Sequence, residues 1–352
     1  MLEPIVCVPA KNEAERLPFL MRALHEQTWT KVHKQLLRTV LVLNNCTDSS
    51  LEVVQRIAQD LPRVSLHLIE IEFVPKNAHV GSARRLAMDR AFALAPRNSV
   101  LVSTDADAIP RHDWIEATLR AIASGADLVG GRIVGNKQEE ASLGPRFVRR
   151  AARHLHYARL LDRLASLVNP LSHDPWPRHS DHTGASLAVR SEVYAAVGGM
   201  PALPVREDVA FVERVCQAGY RLRHPLDVQV SVSARLDGRA AGGMSDCLKS
   251  WVAAEEDGLP HLVEDPSAII FRMRHRRFYN TTARAVRLPA GERIVQRPNG
   301  RALESVTAGP VGADTSIEVE LAISRLERMI AENEGEVDVT RSSTLDFLQG
   351  VD

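Results

Sequence analysis

The sequence predicts an α/β domain built on a doubly wound, mostly parallel sheet with helices on both faces, followed by a mainly helical C-terminal extension. Three observations carry this. Short apolar runs alternate with helical periodicity from the N-terminus to about residue 134, the pattern of strands that return through covering helices. The 352 residues are 45% hydrophobic and 25% charged, ordinary for a globular protein with a sizeable core. No run of about 18 apolar residues occurs, so no membrane-spanning helix is expected.

Taken in order, Ile5–Val8 reads as a strand, and Glu13–Glu26 as a helix with Leu17, Leu20, Met21 and Leu24 on one face. Thr39–Leu43 and Val64–Glu70 read as strands separated by a helix over Ser49–Gln59. A third helix, Ser82–Leu94, leads to the strand Ser99–Ser103, and a fourth, Trp114–Ala123, to a strand over Leu128–Val134. Such a sheet gathers ligands at the carboxyl ends of its strands. From Gly144 to Pro170, Arg146, Arg149, Arg150, Arg153, Arg159 and Arg163 alternate with leucines, predicting a long basic amphipathic helix. Its plain reading is a core-packing helix with a solvated face; contact with an anionic membrane surface or acceptor is the alternative. Ser186–Arg190 reads as a further strand and Asp208–Gln217 as a further helix. Met244–Ala254 and Ser316–Glu332 are the clearest later helices, and the acidic stretch from Asn333 is weakly patterned, which predicts a mobile tail. The division expected is residues 1–240 as the α/β domain and 241–352 as the extension.

The formal net charge is zero, so a general electrostatic attraction for nucleic acid is excluded and any anion site is local. Four cysteines, Cys7, Cys46, Cys216 and Cys247, lie far apart, which fits neither a cysteine zinc site nor a disulfide framework. The N-terminus lacks the features of a signal peptide, and a cytoplasmic enzyme is the simplest expectation. His173, His179 and His182 match no common zinc spacing.

The first strand ends in Pro9-Ala10-Lys11-Asn12-Glu13, without a glycine-rich phosphate loop. A nucleotide diphosphate bound here needs another source of positive charge, and a metal ion is the obvious one. The apolar strand ending in Asp105-Ala106-Asp107 supplies hard oxygen ligands suited to Mn²⁺ or Mg²⁺; alone, such a pair is as readily an Asx turn. Asn44-Asn45-Cys46-Thr47-Asp48 either caps the next helix or offers an amide and a carboxylate to a nucleoside. Gly81-Ser82-Ala83-Arg84 opens a helix where an anion and an arginine fork are compatible, or is merely a surface arginine segment. In Arg206-Glu207-Asp208 the acidic pair either complements a helix dipole or provides a general base.

Together with Thr183-Gly184-Ala185 and Val197-Gly198-Gly199-Met200, these motifs in this order resemble the family 2 glycosyltransferases over roughly residues 3–235. The resemblance implies the GT-A fold and transfer of a sugar from a nucleotide-diphosphate donor to an acceptor hydroxyl, with inversion. It implies that Pro9, Ala10, Asn12, Glu13, Asn44 and Asp48 line the nucleoside pocket, joined by Gly81 and Ala106. Arg84 would lie near the base or diphosphate, Asp105 at the ribose and metal, and Asp107 on the metal. Gly184 and Ala185 would border the sugar and acceptor, Asp208 would be the catalytic base, and Glu207 would orient a substrate. Two positions depart from the pattern: Leu43 and Asn44 stand where acidic residues are usual, and the strand Val228–Ser233 lacks the frequent histidine ligand, His224 lying earlier. A nucleotidyltransferase or a non-catalytic nucleotide-sugar-binding protein are the competing readings. The sugar, the acceptor and any homo-oligomer are not legible.

Overall fold

The computed structural model describes residues 2–239, 243–274 and 316–349. These form two compact units, one from Met1–Val148 and Ser172–Asp257, the other from Arg149–Leu171 and Gly258–Asp352.

The first unit is wound around seven strands. β1 (Glu3–Ala10), α1 (Leu17–His25), α2 (Thr28–His33), β2 (Leu37–Asn44), α3 (Ser50–Ala58) and β3 (Val64–Ile71) come first. α4 (Val80–Leu94), β4 (Ser99–Ser103), β5 (Ala108–Pro110), α5 (Trp114–Ala123), β6 (Leu128–Gly130) and β7 (Arg132–Gly135) follow. After α6 (Lys137–Ser142) and α7 (Pro145–Val168) come β8 (Leu187–Arg190), α8 (Ser191–Ala196), α9 (Glu207–Gln217), β9 (Leu222–Arg223), β10 (Gln229–Val232) and α10 (Met244–Glu256).

The main sheet has the order β3-β2-β1-β4-β8-β6-β9. β3, β2, β1 and β4 are parallel, and β8 runs antiparallel between β4 and β6. A second sheet, β5-β10-β7, flanks it. Both faces of the main sheet are covered, which is why β1 and β2 are near-continuous apolar runs. Val6, Val8 and Ala10 pack on one face with Leu17, Leu20, Leu24 and Trp114; Ile5 and Cys7 pack on the other with Ala83, Ala87, Met88 and Phe211.

Three expectations are corrected. Leu128–Val134 is not one strand. It breaks at Gly131, whose N–H donates to the Ser186 carbonyl at 2.8 Å and whose Cβ, if present, would overlap the Ser186 hydroxyl. The two halves therefore join different sheets. The first helix starts at Leu17 rather than Glu13, with Pro18 in its opening turn, where proline's missing N–H costs nothing. The acidic tail continues the last helix, Val319–Gln349, instead of ending the pattern at Glu332.

In the second unit, Tyr157 and Leu164 of the basic helix pack with Val263, Ile270, Val319, Ala322 and Leu326. Two of its arginines are matched by acids: Arg153 reaches Glu320 at 2.7 Å and Arg163 pairs with Glu334. Among the described residues no helix is long and apolar enough to cross a membrane.

Gly81 illustrates how tightly the loop before α9 is laid on the sheet domain. A Cβ there would overlap the backbone carbonyl of Leu203. We expect Gly81→Ala to lower stability by about 1–3 kcal/mol, as overpacking against backbone does. A thermal melt unchanged from the wild type would contradict this.

Candidate active site

The carboxyl ends of β1, β2 and β4 lie side by side, with Ala10 opposite Leu43 and Cys7 opposite Ser103. The segments leaving these ends carry the candidate residues. Pro9 pairs with Val42 within the sheet, and Ala10, Ala106 and Ala185 are buried beside the crevice.

At the first end the chain turns through Asn12 and Asn45, both with positive φ (54° and 49°), a conformation asparagine tolerates better than most residues. The Asn12 side-chain carbonyl accepts from Thr47 N–H at 2.8 Å, tying the two loops together. Asp48 accepts from Ala14 N–H at 3.1 Å and Ser50 N–H at 3.0 Å. Burial works to raise its pKa, but the hydrogen bonds from Ser50 and Ala14 outweigh it and the net shift is downward. Asn44 is buried; its amide nitrogen lies 3.5 Å from the His79 carbonyl, and among the described residues its Oδ1 has no partner.

Arg84 is the hub of the second cluster. Only 3% exposed, it donates to Glu207 at 2.9 Å, Ser103 Oγ at 2.8 Å, the Gly184 carbonyl at 3.0 Å and Asp105 at 2.8 Å. Burial opposes its charge, yet Asp105 and Glu207 hold the guanidinium pKa above its usual value. The surface-arginine alternative is therefore wrong for Arg84, since α4 turns it inward. Gly184 has no side chain because a Cβ would overlap the guanidinium. Glu207, itself buried, faces inward to this arginine. Asp208, the next residue, is partly exposed and turned another way, accepting from Gly184 N–H at 2.7 Å and Val209 N–H at 2.8 Å. The preceding Arg206 has φ 58°, so the chain enters α9 through a left-handed residue, and as neighbours on the helix the two carboxylates point about 100° apart.

A third cluster surrounds Asp107. Arg235, just past β10, bridges buried Glu13 and Asp107, the latter at 3.1 Å. Glu139 accepts from Ser233 at 2.7 Å, Ala234 N–H at 2.8 Å and Arg16 at 2.5 Å. The Asp107 pKa is pushed up to about 6, by burial first and then by Asp105 and Glu13, against the pull of Arg235. A cleft of about 180 Å³ opens here, lined by Asp107, Arg16, Phe19, Ile109, Glu139 and Ser233.

The structure thus brings Arg84, Asp105, Gly184, Glu207 and Asp208 together, and links Asn12, Asp48 and Glu13 through the loops to Asp107. Gly81 is instead packed against Leu203. Arg235, Glu139 and Ser103 were not singled out from the sequence. Arg235 carried a signal in its position, a basic residue two residues beyond the strand Val228–Ser233. His179, His182 and His224 do converge, but among the described residues no group of three or more His, Cys, Asp or Glu side chains is placed to hold a metal ion.

Several solved structures are similar to this chain. A mannosyltransferase, PcManGT, from Pyrobaculum calidifontis in complex with GDP-Man and Mn²⁺ is 19% identical, with a TM-score of 0.45, and the match covers 82% of this chain and 81% of that one. S. aureus TarS 1–349 in complex with UDP is 14% identical, TM-score 0.47, over 72% of this chain and 65% of that one. Glucosyl-3-phosphoglycerate synthase from Mycobacterium tuberculosis, in complex with Mn²⁺ and UDP-Glc, is 16% identical, TM-score 0.40, over 73% of this chain and 80% of that one. No curated protein matches the chain. The family model described as Glycosyl transferase family 2 matches residues 5–170, from the first strand through the basic helix. Residues 5–170 are therefore similar to the family 2 glycosyltransferases, and the enzyme class that this match supports is that of the glycosyltransferases.

Proposed function

We propose that this enzyme moves a sugar from a nucleotide-diphosphate donor to an acceptor hydroxyl in a single inverting displacement, with Asp208 as the base. The observation that carries this is the division of labour among the carboxylates. Asp105 and Glu207 are committed to Arg84, and Glu13 to Arg235. Asp208 is the partly exposed carboxylate of the α9 start, fixed by two backbone N–H groups and paired with no cation among the described residues. Those two bonds hold its plane while leaving lone pairs for an acceptor O–H. Glu207 acts on the site through Arg84, which in turn braces Asp105 and Gly184.

The donor side fits a divalent cation. Glu13, Asp105, Asp107 and Glu207 face only Arg84 and Arg235, which leaves two negative charges in excess. Burial is the first cause of the raised Asp107 pKa, and the charges of Asp105 and Glu13 add to it against Arg235. Asp107, with Asp105 beside it, would hold Mn²⁺ or Mg²⁺, whose chemistry is to neutralise the diphosphate as it departs. The unpartnered Oδ1 of Asn44 costs on the order of 1–3 kcal/mol when left buried, and a donor on the nucleoside would satisfy it.

Metal dependence gives the direct test. Release of nucleoside diphosphate from a panel of GDP- and UDP-sugars should stop in EDTA and return with Mn²⁺ or Mg²⁺. Undiminished turnover in EDTA rules out the metal; absence of turnover on every donor with metal present rules out the donor class tested.

A further inference from the structure

We propose that Arg235 is a built-in competitor of the divalent cation at Asp107, so that the cation binds weakly to the donor-free enzyme and tightly once the donor's diphosphate is present. This deepens the reading of Asp107 as a cation ligand and rests on it.

The guanidinium of Arg235 sits between two carboxylates. Nη1 donates to Glu13 Oε2 at 2.7 Å, and Nη2 is shared, donating to Glu13 Oε1 and standing 3.1 Å from Asp107 Oδ2. Glu13 is buried, so its two hydrogen bonds form a desolvated fork. The other groups acting on the Asp107 carboxyl are Asp105, Glu13 and its own backbone N–H. Among the described residues, Arg235 is the one cation within ion-pair distance of this carboxylate.

Each aspartate of the Asp105-Ala106-Asp107 turn is matched by an arginine, and the two arginines differ in kind. Arg84 is fully enclosed and serves four acceptors, of which Ser103 Oγ and the Gly184 carbonyl lie outside the acidic cluster. It is part of the fold. The Arg235 side chain is 18% exposed, and among the described residues its guanidinium has carboxylate partners alone. It is held at Asp107 by charge, and another cation can take its place there.

The backbone of Arg235 is fixed independently of its guanidinium. Glu139 accepts from Ser233 Oγ at 2.7 Å and from Ala234 N–H at 2.8 Å, and Ser233 Oγ accepts from Arg235 N–H at 3.2 Å. Further on, Arg239 donates to the Asn12 carbonyl at 3.1 Å. The segment from Ser233 to Arg239 is thus pinned beside the loop that carries Asn12 and Glu13. With its backbone clamped and its fork on Glu13, Arg235 keeps its charge in the cluster even when a cation takes Asp107.

A dication arriving at Asp107 must displace the guanidinium from Oδ2 or share the carboxylate with it. Both weaken binding. A single positive charge about 5 Å from a double one lowers affinity by about tenfold or more, even with water-like screening. The donor diphosphate reverses the balance, because its negative charge attracts the cation and the guanidinium alike. Cation and donor are therefore linked, and linkage is reciprocal: each tightens the other by the same factor. Arg235 sets part of that factor, by holding the cation's affinity down until the donor is there.

Titration of Mn²⁺ into the full chain, with free Mn²⁺ read from its electron paramagnetic resonance, tests this. Without nucleotide, Arg235→Met should bind Mn²⁺ about tenfold tighter than the wild type, and Arg235→Lys, which keeps the charge, should stay near it. A merely structural role for Arg235 predicts the opposite, weaker binding in both. Because Arg235→Met strands the buried charge of Glu13, the comparison is repeated between Glu13→Gln and the double variant Glu13→Gln with Arg235→Met. No charge is stranded there, and the tenfold gain should reappear. With UDP or GDP saturating, the gain should shrink to about twofold, since the diphosphate offsets the guanidinium; binding of Mn²⁺ to nucleotide in solution is common to both proteins and cancels. If the wild type binds Mn²⁺ and removal of Arg235 tightens it in neither background, the metal reading stands and the competition falls. Arg235→Lys binding as tightly as Arg235→Met also overturns the competition. A gain undiminished by nucleotide overturns the link to the donor. If none of these proteins binds Mn²⁺, with or without nucleotide, both readings fall.

Discussion

Asp208→Asn should cut turnover by about 10² to 10⁴, the share a positioned general base contributes, while leaving donor affinity nearly unchanged. The asparagine keeps the shape and one oxygen to accept Gly184 N–H, whose bond to Asp208 is 2.7 Å long, but it cannot take a proton. Donor affinity survives because nearly all the residues proposed for the nucleoside and metal lie at or just after the carboxyl ends of β1, β2 and β4. Glu207→Gln should act differently, weakening the Arg84 hub and lowering stability along with rate. Steady-state release of nucleoside diphosphate, with donor affinity measured separately by calorimetry, distinguishes the two. The product should have inverted anomeric configuration. Near-normal turnover by the Asp208 variant, or a retained configuration, contradicts the assignment.

Arg84→Met should have the largest effect on stability of any substitution in the site. It leaves Glu207, 4% exposed, without its cation, and also frees Asp105, Ser103 and the Gly184 carbonyl from their common donor. Breaking a buried ion pair by removing one partner costs about 3–5 kcal/mol, because the remaining charge stays desolvated. For a unit of this size that is a fall of about 10 °C in Tm. The double variant Arg84→Met with Glu207→Leu should recover much of the loss, since the stranded charge is gone. Calorimetric melting of the two variants checks this; a single variant within 1 kcal/mol of the wild type would falsify it.

What the sequence made legible follows from where its information is local. β1, β2 and β4 are buried runs of Val, Ile and Leu with turn residues at both ends, so their existence and their order with the helices could be read directly. The motifs on the loops after them were likewise visible, because short polar clusters at strand ends are conspicuous against apolar runs. The role of Arg84 was not legible. Its partner Glu207 is 123 residues away and Gly184 is 100 away, and nothing within Gly81-Ser82-Ala83-Arg84 tells whether its arginine turns inward. Nor could a single sequence show that β8 inserts antiparallel, or that Gly131 divides one apolar stretch between two sheets, since pairing is set by distant strands.

The placement of β8 has a consequence for how the chain comes into being. Four parallel strands are complete once residue 103 has emerged, but the neighbour of β4 arrives only at residues 187–190. During synthesis the β4 edge, carrying Val100, Leu101 and Val102, stands open for the length of more than eighty residues. An unpaired apolar edge is a template for pairing with other chains. A fragment ending at residue 170, where the family match stops, keeps that edge exposed for good. It should aggregate on expression, whereas one extended through β9 should stay in solution.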